Sequence, residues 1–265
     1  MSFLLRAFRR LYRIPLIFLW AIWHGSYSLL VHLPRKDRVR RMAMQTKPWG
    51  RGLVRLFGMK LRVHGDVSRY GAEGGLVVSN HLGYLDVFVH GAVFGLRFTP
   101  KKEIKNWPVF GLYTSFAQPI WIDRTSPRKS RETLAQFRET LTQKIPLIVY
   151  PEGTSTDGRS GLLPFKSTSF EAVAGTQIPI QPVLIFYRWD EKHDRNPAWY
   201  GDDVFFPHLW RVLGNGRVTC DMYLLDLYHA PEGADRKQIM EDVRTIMTTE
   251  YDRLLPEIIR KGNEI

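Results

Sequence analysis

Four short, almost uninterrupted apolar runs do most to constrain this chain: GLVVSN at 75–80, PIWID at 119–123, PLIVYP at 146–151 and IPIQPVLIFY at 178–187. A strand covered on one face alternates apolar and polar residues, so a run without a polar face is expected to be buried on both sides. Segments of helical periodicity lie between the runs. Residues 84–95 read as a helix, and 127–144 does so more clearly, with Ser126 placed to cap it, Pro127 at its first position and Leu134, Phe137 and Leu141 on one face. The pattern predicts an α/β fold, a single-domain mixed sheet flanked by helices. MKLRVHG at 59–65 alternates like a half-buried strand. A last helix is expected from about Asp235, interrupted at Pro256, while 188–216, rich in Trp, Asp and Pro, reads as a long ordered loop. Cys220 is the sole cysteine and sits in the strand-like VTCDMYLL. It has no disulfide partner in the chain, and a buried, inert thiol is its expected state.

The net charge of +12 gains meaning once it is located. Residues 1–66 hold 14 Lys and Arg against Asp37 and Asp66 alone, and the rest of the chain is balanced. The excess brackets one apolar stretch, Ile14–Leu33, with Arg6, Arg9, Arg10 and Arg13 before it and Arg35, Lys36, Arg38, Arg40 and Arg41 after it. A nucleic-acid binder spreads its charge over a folded reading surface, so this pattern points instead to an anionic membrane. The stretch matches the ~20 residues that cross hydrocarbon, but His24, Gly25 and two serines weaken its middle. Positive flanks on both sides favour an interfacial helix or a re-entrant hairpin over a single crossing. No A-x-A-like site follows it, which argues against a cleaved signal peptide. Residues 1–60 are therefore read as a membrane-anchoring helical segment and 61–265 as the α/β domain.

Four local patterns carry chemistry. In SNHLGYLD, His81 and Asp86 follow a buried strand; five steps along a regular helix would set them on different faces, so they meet only if His81 lies in the strand-to-helix turn, where Gly83 permits tight backbone. There the carboxylate would hold one imidazole nitrogen and leave the other to take a proton. The competing reading is a capping histidine and a first-turn acid favoured by the helix dipole. VYPEGTSTDG (149–158) ends a strand in a turn, Glu152-Gly153-Thr154, suited to a phosphate or glycerol hydroxyl or equally to an ordinary β-turn. Arg124, after IWID, is placed to meet a phosphate or to pair with Asp123. Lys101, Lys102 and Lys105 form a basic turn that binds an anion or is simply solvated.

In this order the patterns resemble the glycerolipid acyltransferase family of the lysophosphatidate acyltransferase type, over residues 75–187. The blocks are His81 and Asp86; Ile122-Asp123-Arg124; Pro151-Glu152-Gly153-Thr154; and Ile178-Pro179-Ile180-Gln181-Pro182-Val183. Lys101-Lys102-Glu103 with Pro108 and Gly111 looks like the family's connection between the first two. The resemblance implies that His81 deprotonates the acceptor hydroxyl, Asp86 orients the imidazole, and the alkoxide attacks a thioester of acyl-CoA or acyl carrier protein. Amides just after His81 would steady the oxyanion, and Glu152, Gly153 and Arg124 would position the head group. No metal or cofactor is implied. Three positions depart from the family pattern: Gln118 stands where the second block begins with glycine, Ser155 where the third continues with arginine, and Phe165-Lys166-Ser167-Thr168 where Phe-Lys-x-Gly is usual. Losing a guanidinium beside the head group weakens strict selection of 1-acylglycerol-3-phosphate. Arg159, Lys166 or the 101–105 turn is placed to compensate, or the acceptor is another lysolipid, such as lyso-ornithine lipid.

The nearest enzymatic rival, a serine hydrolase, lacks its G-x-S-x-G elbow here, and G-x-x-x-x-G-K-[ST], G-x-G-x-x-G and H-E-x-x-H are absent too. A non-catalytic lipid-binding protein would have no need of a base and its orienter. A bacterial chain anchored on the cytoplasmic face of the inner membrane is the expected setting.

Overall fold

The computed structural model describes residues 3–32, 35–68, 74–107, 110–123, 126–190 and 195–263. Its strands are β1 (Met59–His64), β2 (Leu76–Ser79), β3 (Leu147–Val149), β4 (Ile180–Trp189) and β5 (Val218–Leu224), in sheet order β1-β5-β4-β2-β3. β2 runs parallel to β3 and β4, and β1 parallel to β5, while the antiparallel β4–β5 pair makes the sheet mixed. The helices are α1 (Phe3–Tyr27), α2 (Arg38–Leu56), α3 (Leu85–Phe94), α4 (Phe110–Phe116), α5 (Pro127–Thr142), α6 (Phe205–Gly214) and α7 (Arg236–Asn263).

The apolar runs are explained by two cores, one on each face of the sheet. Val77, Ile148, Val183 and Ile185 meet Leu53, Phe57, Leu85 and Val89 from α2 and α3. Their strand neighbours Leu76, Val78, Leu147, Leu184 and Phe186 point the other way, onto Phe137 and Leu141 of α5 and Ile239, Val243 and Met247 of α7. Side chains alternate across a strand, so a sheet covered twice favours apolar residues on both faces. α5 starts as expected, with Ser126 Oγ accepting from the Lys129 amide, and Gly95 at φ +63° ends α3. Cys220 is buried, and burial pushes its thiol well above the ordinary range.

Several expectations change. Residues 119–123 form a bridged edge rather than a regular strand: Ile120 and Ile122 donate to Phe98 and Pro100, and Lys102 donates back to Ile122. Pro100 and Pro119 have no amide to contribute, which limits the ladder. α7 runs through Pro256 without a break; Pro256 and Asp252, whose carbonyl loses its helical donor to the proline, are both exposed residues. The expected loop 188–216 contains α6. The boundary at residue 60 does not separate two bodies, because α2 packs on α3 and supplies Leu53, Val54 and Phe57 to the core.

α1 also differs. It begins at Phe3, ahead of the first arginine cluster and so including it, and two of those arginines face inward. Arg13, 5% exposed, donates through Nη1 to the carbonyls of Leu213 and Asn215 at the C-terminal end of α6, where the helix dipole favours a cation. Arg10 Nε donates to the Trp210 carbonyl. Further along, Trp20 Nε1 donates to the Trp49 carbonyl of α2, and Gly25 packs against Tyr113 of α4. From Arg10 to Gly25 one stripe of α1 therefore lies on the body. The opposite side is apolar and exposed, and Phe3–Val31 is long and apolar enough to cross a membrane.

Candidate active site

The parallel strands explain why separate sequence blocks converge. β2, β3, the bridged 97–101 segment and the 120–122 edge all run the same way, so their C-terminal ends share one side of the sheet. His81 follows β2, Glu152 follows β3, and Lys101 and Asp123 end the two edge segments. The fourth block sits elsewhere: Ile180 pairs with Leu76 at the start of β2, the opposite end from His81, and the Gln181 amide donates to the carbonyls of Pro182 and Leu225. Its place is in the core.

The turn after β2 closes as its sequence requires. His81 Nδ1–H donates to Asp86 Oδ2 at 2.6 Å. The same oxygen accepts from the amides of Leu82 (2.7 Å) and Gly83 (3.1 Å), and Oδ1 accepts from the Tyr187 hydroxyl at 2.9 Å. Asp86 is fully buried while the His81 side chain is 26% exposed, so the carboxyl group is hidden and the imidazole is open. Gly83 takes φ +135°, and a Cβ there would come within 2.9 Å of Trp199 Cβ, so both conformation and space demand glycine. Because Leu82 and Gly83 both donate to Asp86, the first two amides after His81 orient the carboxylate rather than face an oxyanion, contrary to the sequence expectation.

The imidazole is held from beneath as well. Its ring stacks on Tyr150 with centroids 4.3 Å apart. The backbone amide of His81 donates to Glu152 Oε1, and the Leu163 amide donates to Oε2, both at 2.9 Å. Glu152 is 4% exposed, and burial pushes its carboxyl up. Both of its oxygens are thus engaged by backbone, and it ties the third block to the catalytic turn; the expectation that it reaches for the head group does not match this geometry. Gly153, at φ +74°, lies against Lys166 Nζ, and any Cβ there would collide with that ammonium. Thr154, Lys101 and Lys166 are exposed. Lys102 Nζ pairs with Asp123 Oδ2 at 2.8 Å. Arg124 lies outside the described residues.

Three contributors were missed by sequence reasoning. Tyr187 and Tyr150 sit in apolar runs, where the one available signal was that a buried phenol needs a partner for its hydroxyl; burial, with the Asp86 charge, raises both hydroxyls well above the ordinary range, so they remain donors. His90 is the third. Its Nδ1 lies 2.8 Å from the Asp86 carbonyl and its Nε2 3.0 Å from Ser79 Oγ, and burial pushes it down to about 4. It is a neutral brace under the turn.

Comparison with known proteins follows the same outline. The Acyltransferase family model matches residues 60–186. A lyso-ornithine lipid O-acyltransferase of Pseudomonas aeruginosa is 31% identical over 236 residues, covering 89% of this chain and 88% of that protein. A 1-acyl-sn-glycerol-3-phosphate acyltransferase of Neisseria meningitidis is 30% identical over 208 residues, covering 77% and 80%. The chain belongs to the lysophosphatidate acyltransferase family. It is an acyltransferase. The crystal structure of the 1-acyl-sn-glycerophosphate (LPA) acyltransferase of Thermotoga maritima superposes with a TM-score of 0.69 over 94% of this chain and 95% of that one, at 17% identity, and so shares the fold. The acyltransferase has a histidine and a carboxylate in the open turn at the edge of that fold.

Proposed function

We propose that the enzyme transfers an acyl chain from acyl-CoA or acyl carrier protein to the free hydroxyl of 1-acylglycerol-3-phosphate, giving phosphatidate. The observation behind this reading is the exposed His81 ring tied through Nδ1 to a buried, four-fold hydrogen-bonded Asp86. With Nδ1 occupied, Nε2 takes the proton of the acceptor hydroxyl. The alkoxide oxygen bonds to the thioester carbonyl carbon, the C–S bond then breaks, and the imidazolium returns its proton to the leaving thiolate. Asp86, bonded to Nδ1, balances the charge of the imidazolium. His81 supplies the proton traffic, and the reading calls on no metal or prosthetic group.

The exposed ammonium of Lys166 over Gly153, with Lys101 at the same edge, is suited to the phosphate of the acceptor, and Thr154 beside them to its hydroxyls. A second reading, in which the acceptor is lyso-ornithine lipid, is favoured by Ser155, which offers no guanidinium where a phosphate-binding loop gains from one. The setting proposed for both is an anionic membrane, the cytoplasmic face of a bacterial inner membrane, with α1 lying in the interface. Support comes from the contacts of α1 with the body between Arg10 and Gly25, which leave its apolar side turned outward.

The test is acyl transfer by purified, detergent-solubilised protein from labelled acyl-CoA and acyl carrier protein to a panel of lysolipids, with His81→Ala alongside. Labelled phosphatidate that disappears in the variant supports the first reading. Product with lyso-ornithine lipid alone moves the acceptor, and no His81-dependent product with any acceptor overturns both.

A further inference from the structure

α6 presents an apolar face that neither core uses. Its inward side carries His208, Val212 and Leu213, all buried. Phe206 and Trp210 are each two residues from His208, which places them on the opposite side of the helix, and they are 69% and 55% exposed. Val204, just before the helix, is 64% exposed. This face is joined to α1: the Arg10 guanidinium lies 4.5 Å from the Trp210 ring centroid, and Arg13 holds the carbonyls at the end of α6. The exposed face of α6 therefore borders α1 at Trp210. A cleft at the same seam is lined by Arg9, Tyr12, Arg13 and Arg217 along with Gly58 and Asp190, a cationic collar beside an apolar face with a tryptophan at its border. That combination matches an anionic lipid surface, with rings at head-group depth and guanidinium groups beside phosphates.

We infer that Val204, Phe206 and Trp210 form a second bilayer-contacting element, continuous with α1, through which the enzyme docks on an anionic lipid surface. The inference rests on the membrane setting proposed above and gives a role to the 188–216 segment. It also connects docking to the catalytic turn. Phe205 packs edge-on against Tyr84 at 5.1 Å, the Tyr84 hydroxyl lies 3.1 Å from His208 Nδ1, and the Trp199 amide donates to the Leu82 carbonyl. Tyr84 and Leu82 stand between His81 and Asp86, so the element that touches lipid braces the turn that holds the base.

The experiment compares the full chain with Phe206→Ser/Trp210→Ser by flotation with phosphatidylcholine vesicles containing about a third phosphatidylglycerol. Each buried aromatic strengthens partitioning by roughly tenfold or more, so the double variant should bind vesicles roughly a hundredfold more weakly. Its turnover of lysolipid dispersed in detergent should stay within about twofold. Phe206→Cys, labelled with an environment-sensitive fluorophore, provides a second readout, since Cys220 is 0% exposed and does not compete for label. Its emission should shift blue on adding vesicles and be quenched by lipids brominated near the head group. Unchanged flotation, or a probe that stays in water, overturns the inference. So does sedimentation showing a wild-type dimer that the double substitution dissociates, which would assign the face to a second copy. Wild-type protein that binds vesicles through α6 but transfers no acyl group would instead refute the proposed function and leave the docking surface standing.

Discussion

Replacing Asp86 by asparagine isolates the charge of the orienting group from its shape. Oδ2 accepts from His81, Leu82 and Gly83, and Oδ1 accepts from Tyr187 alone. An asparagine that places its oxygen at the Oδ2 position keeps the first three bonds, and the tyrosine hydroxyl can turn to accept from the new NH2 group. The imidazole therefore keeps its orientation and its proton on Nδ1, and what is lost is the negative charge. When His81 takes up the acceptor's proton, the imidazolium and carboxylate charges lie about 4 Å apart, an attraction of about 4 kcal/mol at an effective dielectric of about 20. That applies to the transition state and not to the resting enzyme, so kcat should fall about a thousandfold while KM for the lysolipid changes little. Folding stability should fall by about 1–3 kcal/mol, because the buried Tyr187 O–H loses the carboxylate oxygen that accepted it. The assay is initial-rate acyl transfer at saturating donor and acceptor, with thermal unfolding of the same preparation. A variant that is folded and retains more than a tenth of the wild-type kcat, where His81→Ala is inactive, would refute charge balance as the role of Asp86.

Other residues yield sharper tests of structure. In Glu152→Gln, one of the two amides now bonded to the carboxylate, that of His81 or of Leu163, would face an NH2 group, so urea unfolding should show a loss of about 1–3 kcal/mol; no change would remove Glu152 as the brace. Gln118 holds φ +52°, so Gln118→Gly should stabilise the protein by about 1 kcal/mol in the same measurement, and a destabilised variant would refute strain at this position. His90 is neutral and buried, with a value of about 4 against an ordinary 6.5. The native state binds fewer protons than the unfolded chain across that interval, so the stabilisation is complete above about pH 6.5 and is lost as pH falls through 4, by about 3 kcal/mol in all. His90→Gln should flatten that part of the pH–stability curve, and an unaltered slope would assign it to other groups.

Local features of the sequence were the readable ones. His81 and Asp86 lie in one turn, so the spacing alone required the turn geometry that the structure shows. Ser126-Pro127 announced α5, and the doubly apolar runs announced a sheet covered on both faces. Interactions that close over long separations left no comparable trace. Tyr187 reaches Asp86 from 101 residues away, inside a strand whose composition is explained by the core. Arg10 and Arg13 read as head-group cations because nothing local shows that α6 ends its carbonyls against them 200 residues later. α6 itself was hidden by Pro207 and by aromatic residues that look out of place on a water-facing helix. They make sense on a helix whose outer face meets lipid.

On the proposed reading, the part of the site that performs the reaction is separate from the part that selects the acceptor. The position of His81 is fixed by groups pointing inward: Asp86, the Tyr150 ring and the Glu152 carboxylate, with Tyr187 and His90 behind them. The acceptor would meet the outward side of the third block, where Thr154 and Lys166 are exposed. One buried carboxylate, Glu152, joins the two layers, and it does so through backbone amides, which are the same whatever side chains stand on the rim. Replacing the side chains at 154, 155 and 166 can therefore alter the charge presented to a head group without disturbing a bond to His81. On the proposed reading, Ser155, where an arginine would add a cation, alters which lysolipid is held while proton transfer at His81 stays as it is.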